Sequence, residues 1–305
     1  MSTLQERIDN NEVIIIDGAT GSELERRGVP MDENAWCGSA NITHPDTVRA
    51  LHTDYIRAGA DVVTANTFGT APHVLAATEY KDRVGAINRA AVRLAQEARE
   101  EVANRRVWVA GSMSTMGPLK SMAIPTGEEI RMSYLEQAET LVEAGVDLII
   151  CEMMTHADNA RLVVEAARNV GVPVWIGFSA ETNEDGDILP WGAQQFGLSG
   201  NFEETLDTIV AMDADVMGIM HTSVPNTARV LEMLKERWQG PMLAYADSGS
   251  FEPPNWQFEN IVSPGDYSTA ALKWLEQGVQ IHGGCCGLGV EHIRALREAL
   301  PATLP

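Results

Sequence analysis

Eight short apolar runs recur along the sequence, at residues 13–17, 61–66, 107–112, 147–152, 173–178, 215–221, 241–246 and 279–283. Most are continuous rather than alternating, which is the pattern of parallel strands buried on both faces. Helix-period segments lie between most of them. One spans 43–59, with Thr43 as its cap, Asp46 in the first turn and Gly59 as the stop. Another spans 82–102 and gathers Val84, Ile87, Ala91, Leu94, Ala98 and Val102 on one face. Thr126-Gly127-Glu128-Glu129 reads as a capping box for a helix that runs to Ala144 and ends at Gly145. Further helices fit 158–170, 203–212, 226–238, 268–277 and 291–300. Eight strands alternating with helices predict an α/β fold, a (β/α)8 TIM barrel forming a single domain over residues 1–305. The alternative is a doubly wound open sheet, but no G-x-G-x-x-G follows the first run.

A barrel places its chemistry at the C-terminal ends of the strands. In this sequence those ends read Asp17-Gly18, Asn66-Thr67, Gly111-Ser112, Cys151-Glu152, Phe178-Ser179, Met220-His221-Thr222, Tyr245-Ala246-Asp247-Ser248-Gly249 and Gly283-Gly284-Cys285-Cys286. Polar and metal-capable groups therefore collect at one end of every predicted strand.

Composition narrows the function classes. The net charge of −21 argues against nucleic acid, whose phosphates would be repelled. No run of about 18 apolar residues predicts a membrane span. The first eleven residues are polar and acidic, unlike the start of a signal peptide. Four cysteines in a chain this long do not suggest a disulfide framework, and a reducing cytoplasm is the expected setting.

The densest chemistry is Ile281-His282-Gly283-Gly284-Cys285-Cys286-Gly287. Adjacent cysteines bond to each other only with backbone strain, but both can face one soft metal ion. The glycines permit sharp turns and close approach to a ligand. Two other readings fit the same residues. Free buried cysteines act as small hydrophobes, and a Gly-Gly pair after a late barrel strand can hold a phosphate. The spaced C-x-x-C pair common in zinc sites is absent.

The strand-end motifs, taken in order, resemble the homocysteine S-methyltransferase family. They are D-G-x-x-G at 17–21, A-G-A-D-x-x-x-x-N-T-F at 58–68, G-S-x-x-x-x-G-P at 111–118, Glu152 after the fourth run, Y-x-x-S-G at 245–249 and G-G-C-C-G at 283–287. The resemblance covers nearly the whole chain. It implies a zinc-containing barrel that moves a methyl group from a sulfonium or ammonium donor, or a folate, to the thiol of homocysteine. It implies that Cys285 and Cys286 bind zinc with a third cysteine at the end of the sixth strand. There the sequence departs from the family and has His221. Two cysteines and one histidine remain an accepted catalytic zinc set, so His221 is expected as the third ligand. If it is instead an ordinary hydrogen-bonding residue, the chain becomes a metal-free amino-acid-binding relative. A changed thiol acceptor is a further alternative.

By the same resemblance Glu152 accepts the acceptor's ammonium group, and Asp17, Gly18, Thr67 and Ser179 line the substrate pocket. The implied partners are a small-molecule thiol acceptor and a methylated cationic donor. Length favours S-methylmethionine as donor over betaine. The sequence leaves association into a homo-oligomer open. His282 is expected to point away from the site and Cys151 to belong to the core. Cys37 is expected in a polar loop, and His44 and His52 on a solvated helix. Trp36, Trp191 and Trp256 lie in predicted loops, where an aromatic face could hold a methylated cation.

Overall fold

Parallel pairing joins the apolar runs into a ring of strands in the computed structural model, which describes residues 2–121 and 126–305. The barrel strands are β1 Ile14–Ile15, β2 Val62–Ala65, β3 Trp108–Ser114, β4 Leu148–Met154, β5 Val174–Phe178, β6 Val216–Ser223, β7 Met242–Asp247 and β8 Val279–His282. Their hydrogen-bonded order is β1-β8-β7-β6-β5-β4-β3-β2. A parallel bridge between Ile16 and Val62 joins the two edges, with the Asp17 N–H donating to the Val62 carbonyl at 3.0 Å. The expected (β/α)8 barrel is therefore present.

Continuous apolar runs arise because both faces of each strand are buried. One face fills the barrel interior, where Ile14, Ile16, Val62, Trp108, Leu148, Trp175 and Ile281 meet. The other packs against the surrounding helices, as Ile15, Val63, Val109, Ile149 and Ile176 do. Leu4 and Ile8 of the short helix Leu4–Asp9 join the interior cluster.

Most helix boundaries differ from expectation by a few residues, and two caps are corrected. Thr43 ends a short helix, Ala40–Thr43, and its hydroxyl donates to the Ser39 carbonyl at 3.1 Å. The following helix, Pro45–Ala58, starts with Pro45 after His44 and has no side-chain cap. The capping box at Thr126 does not form. Gly127, at φ 93°, occupies the cap position of Glu128–Glu143, and Glu128 instead accepts from Arg131 at 2.8 Å. The helix expected at 82–102 opens with a 3-10 turn, Lys81–Arg83, before Val84–Val102. The helix expected from 268 begins at Pro264, where the Ser263 hydroxyl accepts from the Asp266 N–H at 3.1 Å.

Sequence periodicity missed two small hairpins. Ala180–Thr182 pairs with Ile188–Pro190 after β5, and Ser250–Glu252 pairs with Asn255–Gln257 after β7. Each has only three-residue strands, too short for an alternating pattern to register. They matter because they carry Trp256 and lead into Trp191 at the mouth of the barrel.

Candidate metal centre and substrate cavity

The loop after β8 is pinned between its two neighbouring strands. Gly284 N–H donates to the Asp17 carbonyl at 3.1 Å, Cys285 N–H to Ala246 at 2.8 Å, and Ser248 N–H to Cys286 at 2.9 Å. A Cβ at Gly283 would collide with Ile16, which is why the chain passes here as glycine. Gly287, at φ 81°, turns the loop away, and a Cβ there would collide with the Ser248 carbonyl. His282 points away from the loop, as expected, and its Nε2 meets the Val279 carbonyl at 3.0 Å.

Cys285 and Cys286 present sulfurs 3.9 Å apart, and His221 Nδ1 lies 3.4 Å from Cys285 Sγ. The donor atoms of these three residues all lie within 4.8 Å of one another, a spacing that can hold one metal ion. His221 adopts φ 41° at the end of β6, a conformation disfavoured for a side-chain-bearing residue. Strain of this kind, of order 1–3 kcal/mol, collects where a side chain must be aimed.

The electrostatics of the cluster are coupled. The hydrogen bond from its neighbour Cys286 holds Cys285 well below the usual thiol range, and the His221 charge adds to this. The same contact, together with burial, pushes Cys286 well above it. Burial opposes charging of His221, but Asp247 and Cys285 outweigh it and raise the imidazole to about 9. Both shifts act in the same sense, favouring the ionised form of Cys285 and the charged form of His221.

Glu152, at the end of β4, accepts hydrogen bonds from the Tyr245 hydroxyl at 3.0 Å and from the Ser112 hydroxyl. Burial raises its carboxyl to about 7, and the nearby Cys285 charge acts in the same direction. Asp17 accepts from the Thr64 N–H at 2.7 Å and the Thr64 hydroxyl at 2.9 Å, and burial raises it to about 8. Asp247 lies with Oδ2 3.9 Å from His221 Nδ1 and is raised by burial to about 6.

These groups surround a cavity with about 1260 Å3 of empty space, part of it open to solvent. Gly18, Glu152, His221, Cys285 and Cys286 line it. Asp17, Thr67 and Ser179 do not. Asp17 ties β1 to β2 behind the wall. The Thr67 hydroxyl donates to the Ser112 carbonyl at 2.8 Å and accepts from its N–H at 2.9 Å, locking β2 to β3. The Ser179 hydroxyl donates to the Met220 carbonyl at 3.0 Å. These three residues support the cavity wall rather than face the cavity.

Aromatic rings form much of the remaining wall. The His221 ring lies between Trp191 and Trp256, with centroids 5.0 and 5.6 Å away. Phe251 stacks on Trp256 at 6.2 Å, and Trp36 meets Phe68 and Phe251 edge-on at 6.0 and 6.1 Å. No lysine or arginine lines the cavity among the described residues.

Several expectations are corrected here. Cys37 is not in a solvated polar loop; it is buried, donates to Asn66 Oδ1 at 3.0 Å, and burial pushes its thiol to about 12. His52 is fully buried on the inner face of Pro45–Ala58, and burial lowers it to about 4. Cys151 is core, as expected. Tyr245 and Asp247 were missed as candidates although both stand in the strand-seven motif, because spacing alone cannot show that they turn toward Glu152 and His221.

The family profile described as Homocysteine S-methyltransferase matches residues 14–300. The homocysteine S-methyltransferase YbgG of Bacillus subtilis is 26% identical over 97% of this chain and 97% of its own length. The S-methylmethionine–homocysteine S-methyltransferase BHMT2 of Pongo abelii is 29% identical over 97% of this chain and 80% of its own. Among solved structures, the metallated homocysteine methyltransferase MmuM of Escherichia coli superposes with a TM-score of 0.73 at 22% identity, over 97% of this chain and 99% of that one.

Proposed function

This chain belongs to the homocysteine S-methyltransferase family, and from that premise we propose that it methylates the thiol of homocysteine to give methionine. The proposed donor is a sulfonium or ammonium compound, S-methylmethionine in the first instance. The proposed cofactor is zinc, held by His221, Cys285 and Cys286. The observation that carries this reading is the convergence of one imidazole and two thiols within 4.8 Å on the wall of the cavity.

The donor set suits zinc. Two thiolates and a neutral imidazole form a known catalytic combination that keeps an open position. The shift at Cys285 runs toward the ionised thiol, the form a metal ligand takes. Zinc, when bound, would supply the Lewis acidity that ionises an acceptor thiol near neutral pH.

The remaining roles belong to the chain's own residues. Glu152, held by Tyr245 and Ser112, accepts the ammonium of the acceptor, whose charge would draw the carboxyl back to its ionised form. Asp17 fixes Thr64 and the strand ends beside Gly18, and a side chain at Gly18 would meet the Tyr55 hydroxyl at 2.9 Å. Trp36, Phe68, Trp191, Phe251 and Trp256 offer faces to a methylated cation. In the transfer a sulfur–carbon bond forms at the acceptor while the donor's carbon–sulfur or carbon–nitrogen bond breaks. Its electron pair stays on the departing atom, and the positive leaving group becomes neutral. No proton is needed there, so positioning dominates.

The test supplies zinc-loaded protein with homocysteine and deuteriomethyl-labelled S-methylmethionine, betaine and a dimethylsulfonio compound. The expected result is labelled methionine, fastest from S-methylmethionine, and none from the C285A/C286A variant. Absence of transfer to any thiol from every donor would overturn the reading.

A further inference from the structure

Asp247 is a buried carboxylate, 9% exposed, at the last position of β7. One of its oxygens, Oδ1, has no hydrogen-bond partner, and the other lies 3.9 Å from His221 Nδ1. His221 is the only basic side chain that pairs with it among the described residues. A half-satisfied carboxylate in this position opposes folding unless a positive charge stands beside it, and His221 is the group placed to provide or hold one. Its strand neighbours hold it in place, because Ala246 and Ser248 are both bonded to the two-cysteine loop.

We infer that Asp247 is a positioning residue for the metal centre, supplying beside His221 the negative charge that a histidine ligand lacks relative to a thiolate. The inference rests on the zinc reading given above. Two thiolates and an imidazole around Zn2+ leave a neutral group whose imidazole edge is polarised positively. The carboxylate lies 3.9 Å from Nδ1, the nitrogen that also faces Cys285 Sγ at 3.4 Å, so it acts on the centre through its charge and not through a hydrogen bond to the ring. Groups just outside a metal's own ligands are worth about 10–100-fold in metal affinity. If position 221 carried a cysteine, three thiolates would already make the zinc group anionic, and the same carboxylate would be repelled.

The sign reversal supplies the test. Zinc affinity is measured by competition with a chromophoric chelator, at one pH, for the wild type, D247N, H221C and the H221C/D247N double variant. D247N is expected to weaken zinc binding about 10–100-fold in the wild-type background. In the H221C background it is expected to leave zinc binding unchanged or tighten it. D247E, which keeps the charge, is expected to recover most of the loss. Thermal unfolding of the zinc-free proteins checks that each variant is folded, and D247A replaces D247N if the amide does not fold. Equal weakening in both backgrounds would overturn the inference, since the carboxylate would then be a direct ligand or a structural group. No weakening in the wild-type background would overturn it as well, with the zinc reading intact. A wild-type protein that takes up no zinc would overturn that reading too.

Discussion

Buried acids stand at both ends of this barrel and are treated in opposite ways. At the N-terminal end Asp61 accepts from the Ile15 N–H at 3.0 Å and faces Arg7 at 3.1 Å, Arg105 at 3.9 Å and Arg297. At the C-terminal end Asp17, Glu152 and Asp247 are buried with no arginine or lysine paired to them among the described residues. Burial there raises all three carboxyls, to about 8, 7 and 6. The acid at the closed end is neutralised by its own fold. The acids at the open end have no such partner: Asp17 accepts from Thr64, Glu152 accepts from Tyr245 and Ser112, and Asp247 has only His221 beside it. The same residue type is thus paired with arginine at one end and left without lysine or arginine at the other, the end where a barrel places its chemistry.

The largest expected effect breaks the closed end. Asp61→Asn removes the buried carboxylate that Arg7, Arg105 and Arg297 share, Arg7 keeping Glu12, and should cost about 3 kcal/mol of stability, the low end for a buried pair because two of the arginines are partly exposed, measured by urea unfolding. Zinc affinity of the folded fraction should not change. A loss of zinc affinity with intact stability would contradict the division between the two ends.

Glu152→Gln probes the open end. It removes the charge offered to the acceptor's ammonium and should lower kcat/KM for homocysteine by roughly 100-fold, in line with a buried charged hydrogen bond of about 2–3 kcal/mol. Unfolding of the zinc-free variant should occur at an unchanged or higher temperature, because a buried acid with no cationic partner is replaced by an amide whose oxygen can still accept from Tyr245 or Ser112. A destabilised variant with full activity would assign Glu152 to the fold instead.

The raised carboxyls also predict the pH dependence of the zinc-free protein. An acid whose native pKa lies above its unfolded value binds its proton more tightly when folded. Stability is therefore fully present below the unfolded value and falls as pH rises toward the native one. For Asp17 that window runs from about 4 to about 8. Asp17→Asn should flatten the fall of Tm between pH 5 and pH 8, and an unchanged slope would refute the assignment.

Two smaller effects sharpen the contrast. Trp256→Leu should raise KM for a methylated donor several-fold, consistent with a cation–π contact of about 0.5–2 kcal/mol, and leave KM for homocysteine nearly unchanged. Arg93→Ala, which breaks an exposed pair with Glu97, should change stability by less than about 0.5 kcal/mol. It serves as the surface control.

The sequence showed the barrel well because continuous burial writes itself into continuous apolar runs, as in the fully buried β4. The place of the double cysteine, His221 and Glu152 on the cavity wall was legible because strand ends are predictable once the strands are. Caps were less legible. At Thr43 and Thr126 a local rule gave way to an added helical turn and to a left-handed glycine. His52 was misjudged because facing on a helix depends on what packs against it. Thr67 and Ser179 sit at strand ends, yet whether such a hydroxyl faces the cavity or a neighbouring backbone is decided by rotamer and register, which no spacing records. Cavity walls from the three-residue hairpins, with Trp191 beside one and Trp256 within the other, depend on long-range closure.

The central claim is that His221, Cys285 and Cys286 together hold one zinc ion. X-ray absorption at the zinc edge, with metal analysis of the same sample, tests it most directly. The account predicts about one zinc per chain, bound by two protein sulfurs and one imidazole nitrogen, with the nitrogen replaced by a third sulfur in H221C. Protein prepared under reducing conditions that takes up no zinc, or zinc whose coordination is the same in H221C, would contradict it.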